Sequence, residues 1–155
     1  MKKDANCLLL AAILTFWFMP ASSVQVDSTA PKPIDRYSYN LGGFSSFAEV
    51  VSLGIKTLAL SAALPSDEID AMIVGARDIA TKAGVQIYRE PDFMITDLFP
   101  IAATYNKHVI LIYQGSTLKK YLALKTRKTE LLANHGYSGA ARESVARELG
   151  LLLSY

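Results

Sequence analysis

Cysteine, tryptophan and histidine are almost missing from this 155-residue chain, with one, one and two copies respectively. The cysteine, Cys7, and the tryptophan, Trp17, both fall within the first 20 residues. The sequence beyond them therefore holds no disulfide and no thiolate ligand, and a domain built from it rests on packing alone. His108 and His135 are too few and too ill-placed for a zinc centre or a serine–histidine triad, one standing at the start of an apolar run and the other in a turn. Both read as ordinary surface or turn histidines. Also lacking are a phosphate-loop pattern, a glycine fingerprint for dinucleotides, a histidine pair at metal-ligand spacing and a G-x-S-x-G elbow. No metal and no cofactor is expected. The basic residues form no Arg-rich or aromatic-interleaved patch, so nucleic acid is not expected as a partner either.

Long uncharged runs are equally few. One stands out: the 13 residues Cys7 to Met19, preceded by Lys2 and Lys3 and ended by Pro20 before Ala21-Ser22-Ser23. That is the three-part layout of a secretory signal peptide over residues 1–23, with Val24 as the mature N-terminus. A spanning helix needs roughly 20 apolar residues, so no stable membrane anchor is expected after cleavage. Cys7 precedes the apolar run and leaves with it, which excludes a lipid-bearing role. The expected location is periplasmic or secreted, where ATP, NAD and chromosomal DNA are not the natural ligands.

Residues 24–155 carry 14 basic and 13 acidic side chains, unevenly placed: 6 basic and 10 acidic up to residue 104, then 8 basic and 3 acidic. Opposite halves of this kind suit mutual attraction within one fold. Residues 24–37, with Pro31 and Pro33, read as an extended linker, and residues 38–155 as a single α/β domain. Ser46 and Glu49 have capping-box spacing, which predicts a short helix over 47–53 ended by Gly54. Residues 55–61 suit a strand. Ile69, Met72, Ile73, Ala76, Ile79, Ala80 and Ala83 share one helical stripe, which predicts a helix over 67–83 capped by Gly84, with a strand over 85–89 after it. Such a βαβ unit calls for parallel strands. Residues 93–99 read as a further strand or extended loop. Residues 109–113 are apolar without a break, the pattern of a central strand covered on both faces. Helices over 117–134 and 139–153 complete the order. The expected fold is a small, mostly parallel sheet of three or four strands packed with three or four helices, two of them C-terminal.

Chemistry is sought where charge interrupts an apolar stripe. Lys125 projects into the face formed by Leu118, Tyr121, Leu122 and Leu132, and Arg142 into that of Ala141, Val145, Ala146, Leu149, Leu152 and Leu153. A buried charge is costly unless paired. Asp97 is the expected counter-ion, since extended residues 93–99 place it in a row with Phe93, Ile95 and Phe99. A structural salt bridge is one reading of these three; a pocket with a cation left for a ligand's carboxylate or phosphate is the other. The turn Gln114-Gly115-Ser116 leads into a helix whose first turn has no acid, leaving its N–H groups open to an anion. With parallel strands, Ser61, Arg89 and Gln114 all lie at carboxyl ends and border one crevice.

These residues lead to an expected binding domain for a small anionic molecule or an acidic protein segment, held by Arg89, Asp97, Gln114, Gly115, Ser116, Lys125 and Arg142. On that reading Lys125→Met abolishes binding and leaves the fold no less stable. Two alternatives stand beside it. Lys125 and Asp97 form the catalytic pair of an enzyme working by Schiff base or proton transfer, or Lys119, Lys120, Arg127 and Lys128 dock an envelope or structural partner electrostatically. The export expectation has a direct check. N-terminal sequencing of the protein recovered outside the cytoplasm is expected to start at Val24; a chain starting at Met1 contradicts it.

Overall fold

The computed structural model describes residues 33–93 and 101–153, and the domain begins at Ile34. Its elements are α1 (Arg36–Ser52), β1 (Leu58–Leu60), α2 (Ser66–Ala83), β2 (Gln86–Glu90), a single turn α3 (Ile101–Thr104), β3 (Val109–Tyr113), α4 (Thr117–Ala133) and α5 (Gly139–Leu153). Among the described residues no helix is long and apolar enough to cross a membrane.

The sheet corrects the expected mostly parallel arrangement. Its order is β1-β3-β2, and β3 runs antiparallel to both neighbours. The strands joined through α2 are parallel to each other, as a strand–helix–strand unit requires, but they are not adjacent: β3 enters the gap between them. The unbroken apolar run of β3 reflects coverage by helices on both faces, which strand direction does not alter. Side chains alternate accordingly. Ile110 and Ile112 join Ala59 and the buried faces of α1 and α2 in one cluster, whereas Val109 and Leu111 join Leu58, Phe93, Tyr121, Val145 and Leu149 in the other. The result is three layers, with α1 and α2 on one face of the sheet and α4 and α5 on the other.

α1 begins well before the expected helix over 47–53. Its N-cap is Asp35, whose carboxylate accepts from the amides of Tyr37 and Ser38. The Ser38 hydroxyl donates to the same group at 2.5 Å and is the chief reason the Asp35 carboxyl lies below its ordinary value, the two amides adding to it. A depressed carboxyl stabilises the folded state at neutral pH, and that contribution is lost as pH falls through the lowered value. Ser46 is not a cap: it lies inside the helix and donates back to the Gly42 carbonyl at 3.2 Å. Phe44, Ala48 and Val51 form the buried stripe. α2 ends as expected at Gly84, in the left-handed region at φ 68°, where the Val85 amide reaches Ala80 O at 3.0 Å and the Gly84 amide reaches Thr81 O at 3.3 Å. That is a Schellman closure. His135, at φ 54°, closes α4 the same way through Gly136 to Leu131 O at 2.7 Å.

α5 is tied to the start of β1. Lys56 Nζ donates to Leu153 O at 3.2 Å and Thr57 Oγ1 to Leu152 O at 2.8 Å, satisfying carbonyls that a helix end leaves open. Within α1, Gly42 and Gly43 are mid-helix and exposed, and a Cβ at either would meet nothing within 4 Å. Their helix cost is thus not offset by close packing in the fold. Gly42→Ala is expected to raise stability by about 0.5–1 kcal/mol in a denaturant titration; a loss of stability contradicts the open surroundings of this position.

Candidate functional site

Antiparallel pairing separates the expected site residues. Arg89 is opposite Ile110 and Glu90 opposite Val109, so the carboxyl ends of β1 and β2 meet the amino end of β3. Gln114, Gly115 and Ser116 follow the other end of β3, about 14 Å from Ile110 to Gln114 along the strand at about 3.4 Å per residue. The expected crevice shared by Ser61, Arg89 and Gln114 is therefore replaced by two separate ends. At the far end the turn is exposed, with Gly115 at φ 58°, and the Ser116 side chain makes no capping bond to α4.

Lys125 is paired, though with a residue the sequence reading passed over. Its Nζ lies 2.8 Å from Glu90 Oε1 and also donates to the Asp92 carbonyl. The Glu90 side chain is 1% exposed against 25% for Lys125. Tyr121 Oη donates to Glu90 Oε2 at 3.0 Å, and the Asp92 amide donates to Oε1 at 2.9 Å. The buried carboxylate thus has a cation, a hydroxyl and an amide as partners, which is what burial of a charge demands. Asp92 Oδ2 stands 3.8 Å from the same ammonium. Asp97, the expected counter-ion, lies outside the described residues. The signal for Glu90 was the period-two pattern. Extending the strand by one residue beyond Arg89 places Glu90 on the face of Tyr88, toward α4.

Arg89 faces the opposite layer. It pairs bidentately with Asp70, through Nη1 to Oδ1 and through Nη2 to Oδ2 at 3.5 Å, and donates to Ser66 Oγ at 2.8 Å. His108 Nδ1 lies 3.2 Å from Arg89 Nε and 3.1 Å from Nη2, which makes Nδ1 the accepting nitrogen. This clamp joins the end of β2 to the first turn of α2. Arg142 is exposed rather than set in the apolar face of α5, and it is engaged in an interaction of its own. The basic surface of the third reading is also reduced. Lys128 is buried, 5.0 Å from the Tyr137 ring centre, and Arg127 pairs with Glu148 at 2.8 Å.

The end of the sheet holding Ser61 contains a cavity of about 510 Å³. A bulge shapes its wall. Ser61 N donates to Ile110 O, and Leu64 then bridges His108, so Ala62 and Ala63 together stand against Val109 alone. The ladder changes partner at the same point. The Ile110 amide donates to Ser61 Oγ at 2.9 Å, and that hydroxyl donates to Ala62 O at 2.9 Å. Among the described residues, the Ser61 carbonyl accepts no hydrogen bond. α1 supplies the facing wall with Tyr39, Asn40, Gly43, Phe44 and Phe47, and Phe93 and Thr104 border it. Among the described residues the lining contains four aromatic rings and no charged side chain. Asn40, half-buried, makes no side-chain hydrogen bond among the described residues.

Among the described residues no group of three or more His, Cys, Asp or Glu side chains is placed to hold a metal. No protein-family model matches the chain, and no curated protein and no solved structure resembles it at a significant level.

The geometry reverses the stability expected of Lys125→Met. Surface pairs such as Lys82–Asp78, both side chains three-quarters exposed, are worth about 0–1 kcal/mol. Removing one partner of a buried pair costs about 3–5 kcal/mol because the other charge is stranded. Lys125 is partly exposed, which places Lys125→Met near the low end, at about 3 kcal/mol. Chemical denaturation measures it, and a change under about 0.5 kcal/mol, the size of an ordinary surface substitution, contradicts the pairing.

Proposed function

We propose that the chain is an exported, non-catalytic binding domain that holds a small ligand in the cavity beside the Ala62–Ala63 bulge, at the carboxyl ends of β1 and β2. The observation that carries this reading is the cavity itself, about 510 Å³, with four aromatic rings and the side-chain amide of Asn40 among its described lining. Its size and lining match those of small-molecule sites, which are concave, mostly apolar and of roughly 300–1,000 Å³. The bulge supports it further, since an extra residue in a strand commonly re-aims the chain next to a site. Export rests on the layout of residues 1–23.

The cavity lies at the carboxyl ends of β1 and β2, but Arg89, Gln114, Gly115, Ser116, Lys125 and Arg142, all expected to hold the ligand, are not in its described lining. Arg89 and Lys125, the cations meant for an anion, are committed to Asp70 and Glu90 and are absent from the cavity lining. The enzyme alternative depends on a lysine open to a carbonyl carbon. Lys125 Nζ is packed between the Glu90 carboxylate and the Asp92 carbonyl, so a substrate would first have to displace both. The open first turn of α4 and the exposed Lys120 border a different cavity, of about 400 Å³, between α4 and α5.

Two-dimensional NMR with the neutral fluorophore N-phenyl-1-naphthylamine tests the assignment. Shifts on titration are expected to cluster at Asn40, Gly43, Phe47, Ser61 and Phe93. Shifts centred on Gln114 to Lys120 contradict it.

A further inference from the structure

We infer that the cavity selects uncharged, largely apolar molecules that carry an N–H or amide group, and that Asn40 and the Ser61 carbonyl are its specificity determinants. This rests on the reading above and adds the chemical class of the ligand. Three observations lead to it.

The first is charge. No Lys, Arg, Asp, Glu or His stands in the described lining, and Arg89 and Lys125 are engaged by carboxylates on opposite faces of β2. A carboxylate or phosphate entering the cavity exchanges its water for walls that, among the described residues, are aromatic and aliphatic and hold no counter-charge, which is strongly unfavourable. An uncharged molecule suffers no such loss, and the rings of Tyr39, Phe44, Phe47 and Phe93 offer it apolar and stacking surface.

The second is the pattern of polar groups. The Ser61 hydroxyl accepts from the Ile110 amide and spends its one proton on the Ala62 carbonyl, so it has no proton left for a ligand. Among the described residues its carbonyl accepts no hydrogen bond, the Ile110 amide donating to the hydroxyl instead. The Asn40 amide is both donor and acceptor. A ligand with one N–H, or with an amide, satisfies groups that otherwise depend on water, whereas a pure hydrocarbon leaves them dry and unpaired.

The third is Gly43. A mid-helix glycine is unfavourable, and here a Cβ would meet nothing in the fold. Yet Gly43 lines the cavity from α1. A side chain there occupies ligand space, so the residue keeps the cavity open at some expense to the helix.

Two probes that share one ring system separate the possibilities. N-phenyl-1-naphthylamine is neutral with a single N–H, and 8-anilinonaphthalene-1-sulfonate is the same skeleton bearing a sulfonate. Dissociation constants for both are measured by fluorescence on the protein as exported and on Gly43→Leu and Asn40→Leu. The neutral probe is expected to bind at one site, at least tenfold tighter than the sulfonate. Gly43→Leu is expected to weaken it at least tenfold with no fall in melting temperature, and Asn40→Leu to weaken it severalfold, also without unfolding. Equal or tighter binding of the sulfonate, or an unchanged affinity in Asn40→Leu, overturns the ligand class while leaving the cavity as the site. No binding of either probe, or full affinity in Gly43→Leu, overturns the cavity assignment and the ligand class with it.

Discussion

The carboxylate of Glu90 is the constraint on which the rest of this domain turns. It ends the edge strand β2 with its side chain buried between the sheet and α4, where an unpaired charge would cost several kcal/mol. Tyr121, Lys125 and the Asp92 amide together meet that demand, and in doing so they fix α4 against the sheet and turn the chain after β2 so that Phe93 reaches the core. Arg89, one residue earlier, points the other way because side chains alternate along a strand. It binds Asp70, Ser66 and His108. Two consecutive residues thus pin both helical layers to the same end of the sheet.

This use of charge determines what is left for function. The uneven distribution of charge along the sequence suggested attraction within one fold, and Lys125 with Glu90 and Asp92 is such a contact between the two halves. A cation held in that way is not available to a ligand. The described lining of the cavity beside the bulge is made instead of rings, small residues and the polar residues Asn40, Ser61 and Thr104. The ion pairs thus lie on the two faces of β2, while the described lining of the cavity by β1 carries no charged side chain.

Much of the fold was legible because the relevant signals are local. The stripe of α2, its glycine stop, the apolar run of β3 and the start of α5 are all periodic or punctuated in sequence, and each element stands where its pattern puts it. The start of α1 is masked in the sequence because Gly42 and Gly43 interrupt it and Ser46 with Glu49 imitates a helix start, although Leu41, Phe44, Ala48 and Val51 already have helical spacing. Strand direction was not legible. The βαβ rule gives the relation of β1 to β2 and says nothing about which strand enters between them, and one inserted strand moved Gln114 to the opposite end from Arg89. On α4 the face was misplaced by part of a turn: Leu122 and Leu132 are exposed, whereas Leu124 and Lys128 are buried. Glu90 was missed since the expected strand stopped at Arg89. The bulge, a matter of pairing across the sheet, leaves no local mark in the sequence.

A double-mutant cycle on Glu90 and Lys125 tests the central claim most directly, because it isolates the interaction between the two side chains from the effect of removing either. Unfolding free energies are needed for the parent, Glu90→Gln, Lys125→Met and the double variant. A buried, hydrogen-bonded pair gives a coupling energy of about 2 kcal/mol, within the ~0.5–3 kcal/mol found for residues in one network, with the double variant more stable than the sum of the single losses allows. Additive losses, with coupling below about 0.3 kcal/mol, would mean that Glu90 and Lys125 do not meet. Lys125 would then be free for a ligand.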